Sequence, residues 1–167
     1  MRPQYFVILL LLVAWPSGSA VARTTTGKVS QTVEADAARL PQDPSHRLYD
    51  RIMHEFHRGD CEAARAGFQL FVELHASSPL TPYADYWSGE CGFRLGRYRE
   101  AIESFDRALG QSPLRPKLAA AAFLKKGLAY AKLGERSRSR ALLELVVVHF
   151  PHTQQAALAR QALLRFR

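Results

Sequence analysis

The chain repeats itself. Arg58-Gly59-Asp60-Cys61-Glu62-Ala63-Ala64, Leu95-Gly96-Arg97-Tyr98-Arg99-Glu100-Ala101 and Leu133-Gly134-Glu135-Arg136-Ser137-Arg138-Ser139 share one pattern, with turn glycines 37 and 38 residues apart. A fixed period in this range marks a helical-hairpin solenoid, in which each unit buries its apolar face only against its neighbours. No stretch alternates apolar and polar residues with period two over a useful length, so strands are not expected. Arrays of this kind bind other proteins far more often than they perform chemistry.

Apolar spacing predicts seven helices from His46 onward. The first covers about His46 to His57, with Leu48, Ile52 and Phe56 on one face. Gly59 turns the chain, and Asp60 caps a second helix bearing Ala64, Phe68, Phe71 and Leu74. Thr81-Pro82 reads as the cap and first-turn pair of a third, striped by Ala84, Trp87, Cys91 and Leu95. Ala101, Phe105 and Ala108 stripe the fourth, which Ser112-Pro113-Leu114-Arg115-Pro116 ends. A fifth runs from about Lys117 to Leu133, and a sixth carries Leu142, Leu143, Val146 and Phe150 before Pro151 stops it. Thr153 caps a last helix that reaches Phe166 and covers the open end of the stack. Gly89 and Gly127 fall inside helices, where glycine costs about 1 kcal/mol against alanine. Close packing at those two points is the expected reason.

Residues 1–22 read as an export signal rather than as fold. Arg2 supplies a positive start, Tyr5 to Trp15 is an uncharged apolar run, and Ala20-Val21-Ala22 is a small-x-small cleavage site. The run holds 11 residues, short of the roughly 20 that span a bilayer. Cleavage after Ala22 and a periplasmic location are expected, with no membrane span in the mature chain. Residues 23–45 are polar and bounded by Thr24-Thr25-Thr26-Gly27 and Pro41-Gln42-Asp43-Pro44, so a flexible linker is expected there. Residues 46–166 form the repeat domain. Cys61 and Cys91 are too few for a disulfide framework and lack metal-ligand spacing. An oxidising compartment could pair them, and two buried thiols are the alternative.

The pattern resembles the tetratricopeptide repeat. Gly89-Gly96-Ala101-Phe105-Ala108-Pro113 and Phe123-Gly127-Tyr130-Gly134-Ser139-Pro151 align on its positions. The period exceeds the usual 34 of that repeat, with the excess in the connections around Ser78-Pro79-Leu80 and Ser112 to Lys117. Those connections, with Ala84-Asp85-Tyr86-Trp87-Ser88-Gly89-Glu90-Cys91, Lys126 to Gly134 and His149-Phe150-Pro151-His152-Thr153, look like the C-terminal domain of the Tol-Pal system family YbgF/CpoB. Outer-membrane assembly lipoproteins of the BamD type share the repeat style. The resemblance implies an all-α, right-handed solenoid of three hairpins with a C-terminal capping helix. It further implies a periplasmic adaptor contacting Tol-Pal components or peptidoglycan-synthesis proteins during envelope constriction at division. Residues 23–45 hold no heptads where that family carries a trimerising coiled coil. A scaffold of another envelope machine, in outer-membrane protein assembly, secretion or pilus biogenesis, is the second reading.

By repeat position the inner surface of the array is lined by Tyr49, Met53 and Phe56, then Tyr83, Tyr86, Glu90 and Phe93, then Leu124 and Leu128. Such an apolar and aromatic groove suits an amphipathic helix or an extended apolar segment. The Lys/Asn/Arg set that clamps a peptide carboxylate in some members is absent. Charge is uneven: residues 23–112 hold 11 Lys and Arg against 13 Asp and Glu, whereas residues 113–167 hold 11 against 2. Lys125, Lys126, Lys132, Arg136, Arg138 and Arg140 are therefore expected to form a basic surface for acidic partners. No aromatic-basic interleaving suggests nucleic acid. His54 and His57 could share a helix face but have no third metal ligand, and Glu100, Glu103 and Asp106 read as a solvated stripe. No phosphate loop, nucleophile elbow or metalloprotease motif occurs, so neither enzyme nor cofactor is expected.

Overall fold

A computed structural model describes residues 29–40, 43–111 and 115–166, and all of their regular structure is helical. Helix α1 spans residues 29–37. It is followed by α2 (His46–His57), α3 (Cys61–Leu74), α4 (Thr81–Arg94), α5 (Tyr98–Leu109), α6 (Pro116–Lys132), α7 (Arg136–His149) and α8 (Gln154–Leu163), then a 3₁₀ turn at Leu164–Phe166. Pairs α2–α3, α4–α5 and α6–α7 are the three hairpins, and α8 packs on α7 and α6 at the end of the stack. The signal segment and the Ser112-Pro113-Leu114 connection lie outside the described residues.

Each hairpin turns in the same way. Gly59, Gly96 and Gly134 have φ of 86°, 77° and 80°, a left-handed backbone that only glycine adopts at little cost. Two hydrogen bonds close each turn: Asp60 N–H to Glu55 O and Gly59 N–H to Phe56 O, then Arg97 to Gly92 and Gly96 to Phe93, then Glu135 to Tyr130 and Gly134 to Ala131. This is the Schellman arrangement, which satisfies carbonyls that the ending helix leaves open. Asp60 caps α3 through the Ala63 N–H at 3.0 Å, and Thr153 caps α8 through the Ala156 N–H at 3.2 Å. Thr81 does not cap α4. It is the first residue of that helix, and its hydroxyl donates back to the His75 carbonyl at 2.6 Å.

Small residues set the distance between the helices of a hairpin. Ala64, Ala101 and Ser139 are fully buried. A Cβ on Gly89 would stand 2.6 Å from the Phe105 ring, and one on Gly127 would stand 3.2 Å from Leu143. The mid-helix glycines thus give up helix propensity for contact across the hairpin. Neighbouring hairpins also exchange charge along their second helices: Arg97 grips Glu62 with two bonds of 2.9 and 2.6 Å, and Arg65 pairs with Glu100.

The segment expected as a flexible linker is partly helical. Val29, Val33, Ala37 and Leu40 recur every three or four residues and are buried in the common core. Gln31, Ala35, Ala38 and Arg39 on the other side are exposed. A helix this short is marginal alone; its apolar stripe holds because the first two hairpins offer a surface to receive it.

Candidate partner-binding surface

The expected groove is mostly closed. Tyr49, Met53, Phe56, Tyr83, Tyr86, Glu90 and Leu124 are buried, and only Phe93 and Leu128 are half-exposed. Their rings pack on the core instead of facing solvent: Phe56 lies 4.8 Å from Trp87, Tyr86 lies 5.7 Å from Phe105, and Tyr49 lies 5.8 Å from Phe68. Burial pushes the Tyr49 and Tyr86 phenols well above their ordinary values. Helix α4 carries this closure, since it is buried around most of its circumference between α3, α5 and α6.

Two further contacts show what covers the first two hairpins. The Tyr83 hydroxyl donates to Asp36 Oδ2 at 2.6 Å, and His57 Nε2 lies 2.9 Å from Glu34. Burial and the Asp36 hydrogen bond both raise the Tyr83 phenol. Helix α1 therefore lies across α2 and the start of α4, the leading helices whose faces line the inner surface. The fit is incomplete, because a cavity of about 260 Å³ separates Glu34, Ala37 and Ala38 from His46, Tyr49, Asp50 and Met53.

Lys125 is not part of the basic surface. It is 2 % exposed and its ammonium lies 2.6 Å from the buried Glu90 carboxylate; the contact is ionic and lacks the alignment of a hydrogen bond. Arg94 approaches the same carboxylate at 3.4 Å and covers the Phe56 ring at 4.0 Å. Lys126 is half-buried and pairs with Asp106. Lys132, Arg136, Arg138 and Arg140 are exposed. Arg138 reaches Glu135 at 2.6 Å, and Arg140 donates to the Phe166 carbonyl at 3.3 Å. The cationic end is thus the first turns of α7 with the last residue of α6.

Models of the tetratricopeptide repeat match residues 49–116 and 121–153. Together they cover more than half of the chain. The chain belongs to the tetratricopeptide-repeat family. No curated protein matches it.

Members of the tetratricopeptide-repeat family typically act as scaffolds for other proteins, and the remaining candidate residues fit that role. His54 is exposed beside Glu55 while His57 turns to Glu34, so the two histidines do not act as one site. Among the described residues, no three His, Cys, Asp or Glu side chains converge for a metal, and no helix is long and apolar enough to cross a membrane. Cys61 and Cys91 are free and buried. Burial, and then the adjacent Cys61 thiol, push the Cys91 thiol well up.

Two features of the tetratricopeptide-repeat array escaped the sequence. Lys125 reads as surface because lysine almost always is. Its position one turn before the repeat-equivalent of Glu90 could have suggested the pairing. The role of α1 was visible only as the spacing of Val29, Val33, Ala37 and Leu40 within a polar stretch.

Proposed function

We propose that this chain is an exported, non-enzymatic adaptor of the bacterial envelope that docks partner proteins on its repeat array. The observation that carries the reading is the array itself, three hairpins in one stack with a strongly cationic end at Lys132, Arg136, Arg138 and Arg140. Exposed cations of one sign raise the rate of encounter with acidic partners. The signal pattern of residues 1–22 supports export to the periplasm. The resemblance of the Tyr86-Trp87-Ser88-Gly89-Glu90 region to the YbgF/CpoB family supports the Tol-Pal constriction system as the setting.

The absence of heptads from residues 23–45 favours the second reading, a scaffold of outer-membrane assembly, secretion or pilus biogenesis. Cross-linking in intact cells, followed by identification of the partners, separates the two. Tol-Pal or peptidoglycan-synthesis proteins are expected, and recovery only of another machine's subunits would transfer the assignment. N-terminal sequencing of envelope material should begin at Arg23; a retained Met1 would remove the export argument. In an oxidising periplasm Cys61 and Cys91 should form a disulfide, so two free thiols after denaturing such material would count against that pairing.

A further inference from the structure

Helix α1 occupies the face where a tetratricopeptide-repeat array of this kind would receive a partner helix, and it leaves space against α2 there. Its buried residues Val29, Val33 and Ala37 stand four apart, with Leu40 completing the stripe. This is the i, i+4, i+8 spacing of a helix laid in a groove. Polar anchors hold it at two points, Asp36 to Tyr83 and Glu34 to His57. Beside the Glu34–His57 anchor, toward the end of α1, space is left against α2. The cavity of about 260 Å³ lies along Ala37 and Ala38. On its α2 side the buried His46 Nε2 finds no protein partner. The Asp43 N–H donates to His46 Nδ1 at 3.0 Å, which leaves the ring proton on Nε2, so that atom is an unused donor.

We infer that residues 29–40 are an intramolecular ligand, an amphipathic helix that fills the groove of the first two hairpins and is displaced by a partner helix of the same pattern. The partner carries apolar residues at the positions of Val29, Val33 and Ala37 and a carboxylate at that of Asp36, where Tyr83 receives it. The tether makes the internal helix a competitor at high effective concentration. It lowers apparent affinity for the partner by the fraction of molecules whose groove is open. This inference rests on the adaptor reading but concerns a different link. Failure to find an envelope partner would leave the occupancy intact, and failure of occupancy would leave the adaptor role to the cationic end.

The test uses the full chain and a fluorescent peptide of residues 29–40 as probe. Asp36→Ala loosens the internal helix without touching the groove, and Val33→Asp expels it. The probe should bind Asp36→Ala several-fold and Val33→Asp at least ten-fold more tightly than the unaltered chain. Hydrogen exchange should show protection falling in residues 29–37 while that of α4 and α6 is kept. Two results overturn the inference. In the first, residues 29–37 lose protection but the probe binds no better. In the second, Val33→Asp strips protection from α4 and α6 as well, which would make α1 an integral part of the core.

Discussion

Lys125 and Glu90 meet at 2.6 Å with both side chains sealed from solvent, and this pair fastens the second hairpin to the third. Removing one member of a buried ion pair costs about 3–5 kcal/mol, because the other charge is left without compensation, whereas replacing both with apolar groups is often neutral. Lys125→Met should therefore destabilise strongly. The loss should fall at the lower end of that range, since Arg94 remains 3.4 Å from the carboxylate. Adding Glu90→Leu should recover most of it. Urea unfolding of the two variants checks this, and a double variant less stable than Lys125→Met would contradict it.

Gly89→Ala sets two effects against each other. Helix propensity favours alanine by about 1 kcal/mol, but the new methyl would stand 2.6 Å from a Phe105 ring edge that is fully buried. Overpacking of this kind costs about 1–3 kcal/mol, so the variant should be less stable than the parent. Combining it with Phe105→Leu should give a coupling energy of opposite sign to the two single losses. Additive losses would mean that the ring yields freely.

Acid stability should depend on Asp43. Hydrogen bonds from the Ser45 hydroxyl, then from the Ser45 N–H and from Ser78, hold its carboxyl at about 2, below the ordinary 3.8. The unfolded chain then binds more protons than the folded one between those values, so stability is full above about pH 4 and falls as pH drops toward 2. The affected contact joins the entry of α2 to the connection between α3 and α4. Asp43→Asn should flatten the stability profile within that window, as read from thermal midpoints at successive pH values. An unchanged slope would place the acid sensitivity elsewhere.

Reversing Arg136, Arg138 and Arg140 to Glu should leave the helical content unaltered, because all three are exposed. Binding to a polyglutamate probe should weaken and lose most of its salt dependence, since charges outside an apolar contact act through a field that salt screens. Stopped-flow association at two salt concentrations measures both. If rate and salt slope stay as they were, the basic end is solvated surface and nothing more.

The turns were the most legible part of the fold. Gly59, Gly96 and Gly134 announce themselves because only glycine adopts their backbone cheaply, and the helix positions follow from the period. Gly89 and Gly127 were equally readable, since a glycine kept inside a helix must be near something. Burial of the inner face was not readable. Tyr49, Met53 and Tyr83 occupy positions that face a groove in an open array, but Tyr49 packs on Phe68 and Phe71 and residues 29–37 lie over Tyr83. Lys125 hid for a related reason: one residue type reads as solvent-exposed until its counter-charge on the neighbouring helix is located.

The charges shared by the second helices of the first two hairpins dictate the order of the units. Glu62 and Arg65 face Arg97 and Glu100. Counting back 37 residues from Arg97 and Glu100, the first hairpin has Asp60 and Ala63 at the matching places. A second copy of that hairpin spliced after the first would set Asp60 against Glu62 and leave Arg65 opposite a methyl group. Exposed pairs of this sort add little to stability, but a wrong neighbour meets repulsion as well as a missing bond. A first unit duplicated without new substitutions would therefore meet a less favourable seam, although its backbone turns would permit it.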